Sequence, residues 1–187
     1  IPLLVKSPGR INLIGEHTDY NNGFVMPAAI DKAMYFAIGK NGKSSLEIYS
    51  LNYKESLVFE DLEKTSIPTW GKYFKAILEI LNEKGFSIHG VQCVFGGDIP
   101  IGAGLSSSAA LCCGLIFGLS ELFDLKISKE EIAKIGQAAE HRIGLNCGLM
   151  DQYAVLFGKK NHVFCLDCES LEIKYIPFQL SHHSLVL

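Results

Sequence analysis

Pro100-Ile101-Gly102-Ala103-Gly104-Leu105-Ser106-Ser107-Ser108-Ala109-Ala110-Leu111 is the stretch that decides how this chain is read. An apolar, β-like run from Val91 to Phe95 leads towards it, and a helix-like run from Leu111 to Phe123 leads away. A glycine-rich junction between strand and helix is a good cradle for a phosphate chain. Glycine lets backbone N–H groups approach an anion without a Cβ in the way, and it takes positive φ where a turn needs it. The helix that follows aims its unpaired N–H groups and its positive dipole end at the same spot. The hydroxyls of Ser106, Ser107 and Ser108 can reach phosphate oxygens or a magnesium ion. No Gly-Lys-Ser/Thr follows, so this is not a Walker A loop. An ordinary strand-to-helix turn with a polar start is the competing reading.

Composition sets the class. The chain has 187 residues, 48% hydrophobic and 20% charged, which fits a globular protein of one large domain or somewhat more. A formal charge of −3 gives no general pull towards nucleic acid or an anionic membrane, so neither is expected as a partner. Any anionic ligand must be held by local geometry. No apolar run approaches a membrane span, and the N-terminus has no signal-peptide layout. Six cysteines, at 93, 112, 113, 147, 165 and 168, lack the paired spacing of a zinc site. Cys165-Leu166-Asp167-Cys168 reads C-x-x-C, but no second pair accompanies it. Free thiols in a reducing cytosol, hence a cytoplasmic protein, are the expectation.

The first forty residues place a polar cluster on strand-like sequence. Ile1 to Val5 already reads as strand, which suggests that the chain opens at a boundary. Ile11 and Leu13 fit a short strand, and Tyr20 to Gly23 a loop. Between them lie Arg10, Glu16, His17 and Asp19. Polar groups so dense beside apolar strand are costly to bury unless they bind something or satisfy one another. Met34 to Ile38 reads as a buried strand. Lys40-Asn41-Gly42-Lys43 then predicts a hairpin onto a partner strand over Ser45 to Ser50.

Further along, Tyr53 to Glu60 extends the sheet and Glu60 to Pro68 is a polar connection. Trp70, Tyr73, Phe74, Ile77, Leu78 and Leu81 repeat at helical spacing, closed by Gly85. Trp70 and Tyr73 read as packing residues, with a nucleotide base able to stack nearby. Leu111, Leu115, Leu119 and Leu122 share a helix face, and Ser128 to Glu131 is a capping box for the next helix. Ile132, Ile135 and Ala139 form that helix's apolar stripe, with Glu140 and His141 near its end. Asp151 follows Gly148 by three residues, where the backbone can approach closely. Val163 to Leu166, Ile173 to Ile176 and Leu185 to Leu187 read as strands, the last cut short by the end of the chain.

Three separated pieces carry a family resemblance. Residues 9–20, Gly-Arg-Ile-Asn-Leu-Ile-Gly-Glu-His-Thr-Asp-Tyr, resemble the galactokinase signature. Asp98 to Leu111 resembles the phosphate loop of the GHMP small-molecule kinases. Cys147 to Gln152 is similar to the galactokinase segment carrying the catalytic aspartate. Their order and spacing also match. The fold this implies is α+β: the GHMP kinase N-terminal domain, a mixed sheet backed by helices, related to ribosomal protein S5 domain 2. That domain would occupy residues 1–187 and continue past them. The glycine-rich third motif and helical C-terminal domain of the family lie outside this sequence, so a fragment of this length is expected to turn over weakly or not at all.

The resemblance also implies roles. The aspartate matching Asp151 takes the proton from the anomeric hydroxyl of galactose, which attacks the ATP γ-phosphate. The arginine matching Arg10 lies beside it, as a fixed positive charge next to base and transferring group. Glu16, His17 and Asp19 match residues that hold the sugar hydroxyls, and Gly148 a backbone contact to the sugar. Gly102, Ala103, Gly104, Leu105, Ser106, Ser107 and Ser108 would wrap the ATP phosphates. Ser108 and Glu140 match ligands of Mg2+, which bridges and screens the phosphates. Two other readings stay open: a sister kinase for N-acetylgalactosamine, arabinose or a uronic acid, and a non-catalytic sensor of galactose and ATP. Mevalonate and homoserine kinases lack the arrangement seen in residues 10–20.

Overall fold

The computed structural model describes residues 1–60, 67–100 and 102–179. Ile101, most of the polar connection before Pro68 and the strand expected at Leu185 to Leu187 lie outside the described residues. Among the described residues, eight strands and four α-helices follow one another: β1 (Leu3–Asn12), β2 (Phe24–Val25), β3 (Pro27–Lys40), β4 (Leu46–Ser50), β5 (Glu55–Phe59), α1 (Thr69–Glu83), β6 (Val91–Gly97), α2 (Ser107–Phe123), α3 (Lys129–Arg142), α4 (Met150–Phe157), β7 (His162–Asp167) and β8 (Ile173–Pro177).

Five strands form one mixed sheet in the order β1-β3-β6-β4-β5. The β4/β6 pair is parallel; the other pairs are antiparallel. Alternation decides the faces. Val5, Phe36, Ile38, Ile48, Cys93 and Phe95 are buried, while Leu4, Tyr35, Tyr49, Val58 and Val94 remain exposed. Helices cover the first face, as expected for this fold class. A smaller antiparallel sheet, β2-β7-β8, was not anticipated. It packs with α4 around Tyr153, Phe164 and Leu166.

An aromatic cluster fills the core where α1 meets the sheet. Trp70 lies with its ring centroid 5.8 Å from Phe74 and 5.3 Å from Phe95, and Phe95 lies 6.1 Å from Phe36. The indole N–H is not lost in this cluster, because it donates to Glu55 Oε2 at 3.1 Å. α2 carries few polar residues and is buried from Ala109 to Leu115 without interruption. That suits a helix enclosed by the sheet and other helices. α3 starts at Ser128, whose hydroxyl accepts from Glu131 N–H at 3.2 Å. Only that half of the expected capping box forms, since the Glu131 carboxylate pairs instead with Lys84 at 2.5 Å.

The hairpin expected at Asn41-Gly42 is overturned. The turn exists, with Gly42 at φ +72 and Lys43 N–H bonded to Asn41 Oδ1 at 2.9 Å. β3 and β4 nevertheless do not pair, because β6 lies between them. Asn41 serves this insertion: its backbone N–H donates to Gly90 O at 2.8 Å and its side-chain amide to Val91 O at 3.2 Å. The local turn signal is correct, but β6 takes both inner edges.

Candidate active site

Arg10 and Asp151, 141 residues apart in sequence, form an ion pair with Arg10 Nε 2.7 Å from Asp151 Oδ1. Each is built by its local structure. Arg10 follows an irregularity in β1, where the register with β3 shifts between Pro8 and Arg10. Gly9 sits at that shift, and a Cβ there would lie 2.8 Å from Leu105 O, so glycine permits the strand to touch the loop before α2. Asp151 lies in the first turn of α4, where the helix dipole favours a carboxylate. Both side chains are mostly buried, 15% and 21% exposed.

The glycine-serine loop closes around this pair. Arg10 Nη1 donates to Gly104 O at 2.5 Å and Arg10 N–H to Leu105 O at 3.1 Å. Ser106 Oγ donates to Asp151 Oδ2. Gly102 and Gly104 hold φ of +75 and +71, with open space where a Cβ would point. Ser106 is also left-handed, and α2 begins without a side-chain cap or an acidic first turn. The helix therefore presents unpaired N–H groups beside the ion pair, an anion-binding arrangement.

The polar cluster meets the segment that leads into Asp151, through Asp19 and Gly148. Gly148 abuts Asp19 so closely that a Cβ would run into the Asp19 carboxylate. Glu16 is held by Asn12 Nδ2 at 2.8 Å, while Asn12 Oδ1 is buried without a partner. The loop's shape depends on Thr18, whose hydroxyl lies 2.7 Å from Gly15 O and 2.9 Å from Phe24 O. His17 Nδ1 meets the Tyr20 hydroxyl at 2.7 Å, and both rings are on the exposed side. Asp19 thus reaches the Gly148 segment, whereas His17 is engaged with Tyr20.

Glu140 stands in a second, buried group. Its carboxylate accepts from Gln152 Nε2 and from the Ser108 side chain, and Cys147 Sγ lies 3.7 Å away. Burial, with Asp151 adding to it, pushes the Glu140 carboxyl up, and the bonds from Ser108 and Gln152 act against this. Gln152 Oε1 is buried and has no partner. Carboxylate, hydroxyl and amide oxygens are the hard donors that Mg2+ takes, so the residues present fit that ion. Burial, then the Glu140 carboxylate, pushes the Cys147 thiol up to about 12, which removes it as a nucleophile at neutral pH.

Sequence reasoning missed several participants. Gln152 and Asn12 lie inside the quoted motifs, so their polarity next to apolar neighbours was a usable signal. Asn52 and Tyr53 gave none. They line a cavity of about 230 Å³ with Trp70, Tyr73, Ser107 and Ser108. Asn52 is fixed there by two bonds with Gly97, at 2.9 and 3.0 Å.

The chain resembles known proteins in sequence and in fold. The family described as "GHMP kinases N terminal domain" matches residues 72–159, and the "Galactokinase galactose-binding signature" matches residues 2–40. Residues 72–159 thus carry a GHMP kinase N-terminal domain. Among curated relatives, the chain is 42% identical to the galactokinase of Thermosipho africanus over 182 residues, 97% of the chain and 51% of that protein. It is also 42% identical to the galactokinase of Pyrococcus furiosus, over 94% of the chain and 50% of the relative. The crystal structure of Lactococcus lactis galactokinase complexed with galactose superimposes with a TM-score of 0.88 at 36% identity, covering 95% of this chain and 47% of that one. The chain spans about half the length of the curated relatives it matches. Among the described residues, no helix is long and apolar enough to cross a membrane.

Proposed function

We propose that this chain carries the sugar- and phosphate-binding part of a galactokinase, which transfers the ATP γ-phosphate to the C1 hydroxyl of galactose. The observation that carries the reading is the position of Asp151. It is paired with Arg10 and touched by Ser106 of the phosphate loop, and it follows by three residues the Gly148 that abuts Asp19. A base must lie within hydrogen-bond reach of the hydroxyl it serves, and the phosphate must be presented opposite.

In this reading Asp151 accepts the C1 hydroxyl proton as that oxygen bonds to the γ-phosphorus. The bond from γ-phosphorus to the bridging oxygen breaks, and ADP leaves. Arg10 stabilises the charge that builds up on the transferring group. Glu16, His17 and Asp19 pair with the sugar hydroxyls, with His17 exchanging its Tyr20 bond for one to the sugar. An epimer would leave such groups unpaired, which is the basis of selection. Gly102 to Ser108 wrap the phosphates, and the cavity beside Trp70 and Tyr73 accommodates the base. Ser108 and Glu140 would hold Mg2+, which screens the phosphate charge when bound. Residues 1–187 form the N-terminal domain, completed by a C-terminal domain. The thiols suit a cytosolic protein.

The test is ATP-dependent phosphorylation across galactose, N-acetylgalactosamine, arabinose, galacturonate and glucose, using the longest natural form of the chain. Strong galactose turnover that disappears in Asp151→Asn is the expected result. Preference for another sugar would keep the chemistry and change the substrate. Binding of galactose and ATP without turnover of any sugar would overturn the enzymatic reading in favour of a sensor.

A further inference from the structure

Ser106 has a conformation and a partner that a phosphate loop alone does not require. It stands at the N-cap of α2, where serine ordinarily turns its oxygen back onto the first helical turn. It makes no such bond, and its backbone sits at φ +57, ψ +47. A residue with a Cβ rarely adopts that conformation, whereas glycine does so freely. The hydroxyl is what serine adds here, and it is donated to Asp151 Oδ2. The two preceding residues hold the partner of that carboxylate, through Gly104 O to Arg10 Nη1 and Leu105 O to Arg10 N–H. Three consecutive loop residues thus grip both members of the ion pair.

A hydroxyl carries a single proton and has one strong bond to donate. Resting on the proposed sugar-kinase function, the geometry points to Ser106 as a positioning residue that couples nucleotide binding to sugar binding. A phosphate oxygen that takes the Ser106 proton leaves Asp151 Oδ2 without its donor, and that oxygen becomes free to accept from the sugar hydroxyl. Oδ1 stays on Arg10 throughout. Without nucleotide, the sugar must displace Ser106 to reach the same atom. Only hydrogen bonds are exchanged. The coupling is reciprocal: sugar seated on Oδ2 turns the Ser106 hydroxyl towards the phosphates and tightens nucleotide by the same factor.

Calorimetric titration tests this, with galactose added to the longest natural form of the chain in the presence and absence of a non-hydrolysable ATP analogue. In the native protein the analogue should tighten galactose by about five-fold or more, within the usual range of coupling between sites. In Ser106→Gly, which suits the left-handed backbone, nucleotide-free protein should bind galactose as tightly as native protein does with the analogue, so the ratio falls to about one. Ser106→Ala, which keeps the Cβ, should lose the coupling equally and so separates the hydroxyl from backbone relief; thermal melts establish that both variants fold. A native ratio near one, or a native-like ratio in Ser106→Gly, overturns the coupling. Native protein that binds neither galactose nor the analogue overturns the sugar-kinase reading itself, and the coupling with it.

Discussion

Gly148 and Asp19 touch so closely that no β-carbon fits between them, and Asp19 backbone carbon would lie 2.9 Å from it. This contact ties the loop after β1 to the approach of α4, and so sets the distance from the polar cluster to Asp151. Gly148→Ala must push the two segments apart. Overpacking of this kind costs about 1–3 kcal/mol. KM for galactose should rise roughly ten-fold, with a smaller change in KM for ATP. An unchanged galactose KM would mean that Asp19 does not help to seat the sugar.

Arg10 makes two side-chain bonds that diverge, to Asp151 and to Gly104 O. A lysine ammonium keeps the charge but lacks the planar fork that serves both. For Arg10→Lys we expect kcat to fall about 100-fold, comparable to the loss of one preorganised transition-state donor. Galactose binding, measured separately, should change much less.

Phe74 is 1% exposed and packs edge-on against Trp70 and tilted against Phe95, at 5.8 and 5.1 Å between centroids. Truncating a buried phenylalanine costs about 3–5 kcal/mol. In a chain of this size that lowers the melting temperature by about 6–20 °C. Phe74→Ala should therefore melt early, while Val94→Ala, on the exposed face of the same sheet, should melt close to the native temperature.

Asp98 anchors the start of the phosphate loop. Its carboxylate accepts Ala33 N–H at 2.8 Å and pairs with Lys32 at 3.3 Å. The Ala33 bond first, then Lys32, holds its carboxyl below the ordinary value of 3.8. A depressed carboxyl stabilises the fold above its unfolded value and loses that contribution as pH falls through its folded value. Asp98→Asn should thus lower stability at pH 7, and the gap to native protein should shrink as pH falls below the ordinary carboxyl value of 3.8. Acid titrations followed by circular dichroism would detect it, and a gap independent of pH would contradict it.

How much of this could be read from the chain depends on how local each feature is. The junction from β6 through the loop to α2 was legible, because glycine, serine and a change from two-residue to helical periodicity all occur within about thirty residues. The helix α1 was legible for the same reason. The β3–β4 pairing was misread because Asn41-Gly42 reports the turn and says nothing about which strand enters between its arms. Two strands of the small sheet, β7 and β8, were legible, but its third was not, since β2 has only Phe24 and Val25 to pair with Asp167 and Leu166. In the site, the motif order singled out Arg10 and Asp151, but composition presents Ser106, Ser107 and Ser108 as equivalent. Only the backbone angles at Ser106 and the direction of its hydroxyl tell it apart.

The insertion of β6 between β3 and β4 has a consequence for how the chain is made. β4 and β5 can pair with each other as a hairpin as soon as they emerge from the ribosome. They cannot join β1 and β3 until residues 91–97 have followed. At a synthesis rate of about 5–20 residues per second, that leaves the apolar inner edges of two half-sheets unpaired for seconds. Exposed strand edges recruit other chains. Slow translation between residues 60 and 91 should therefore favour aggregation of the nascent chain, and a chaperone that shields β-edges has its window there.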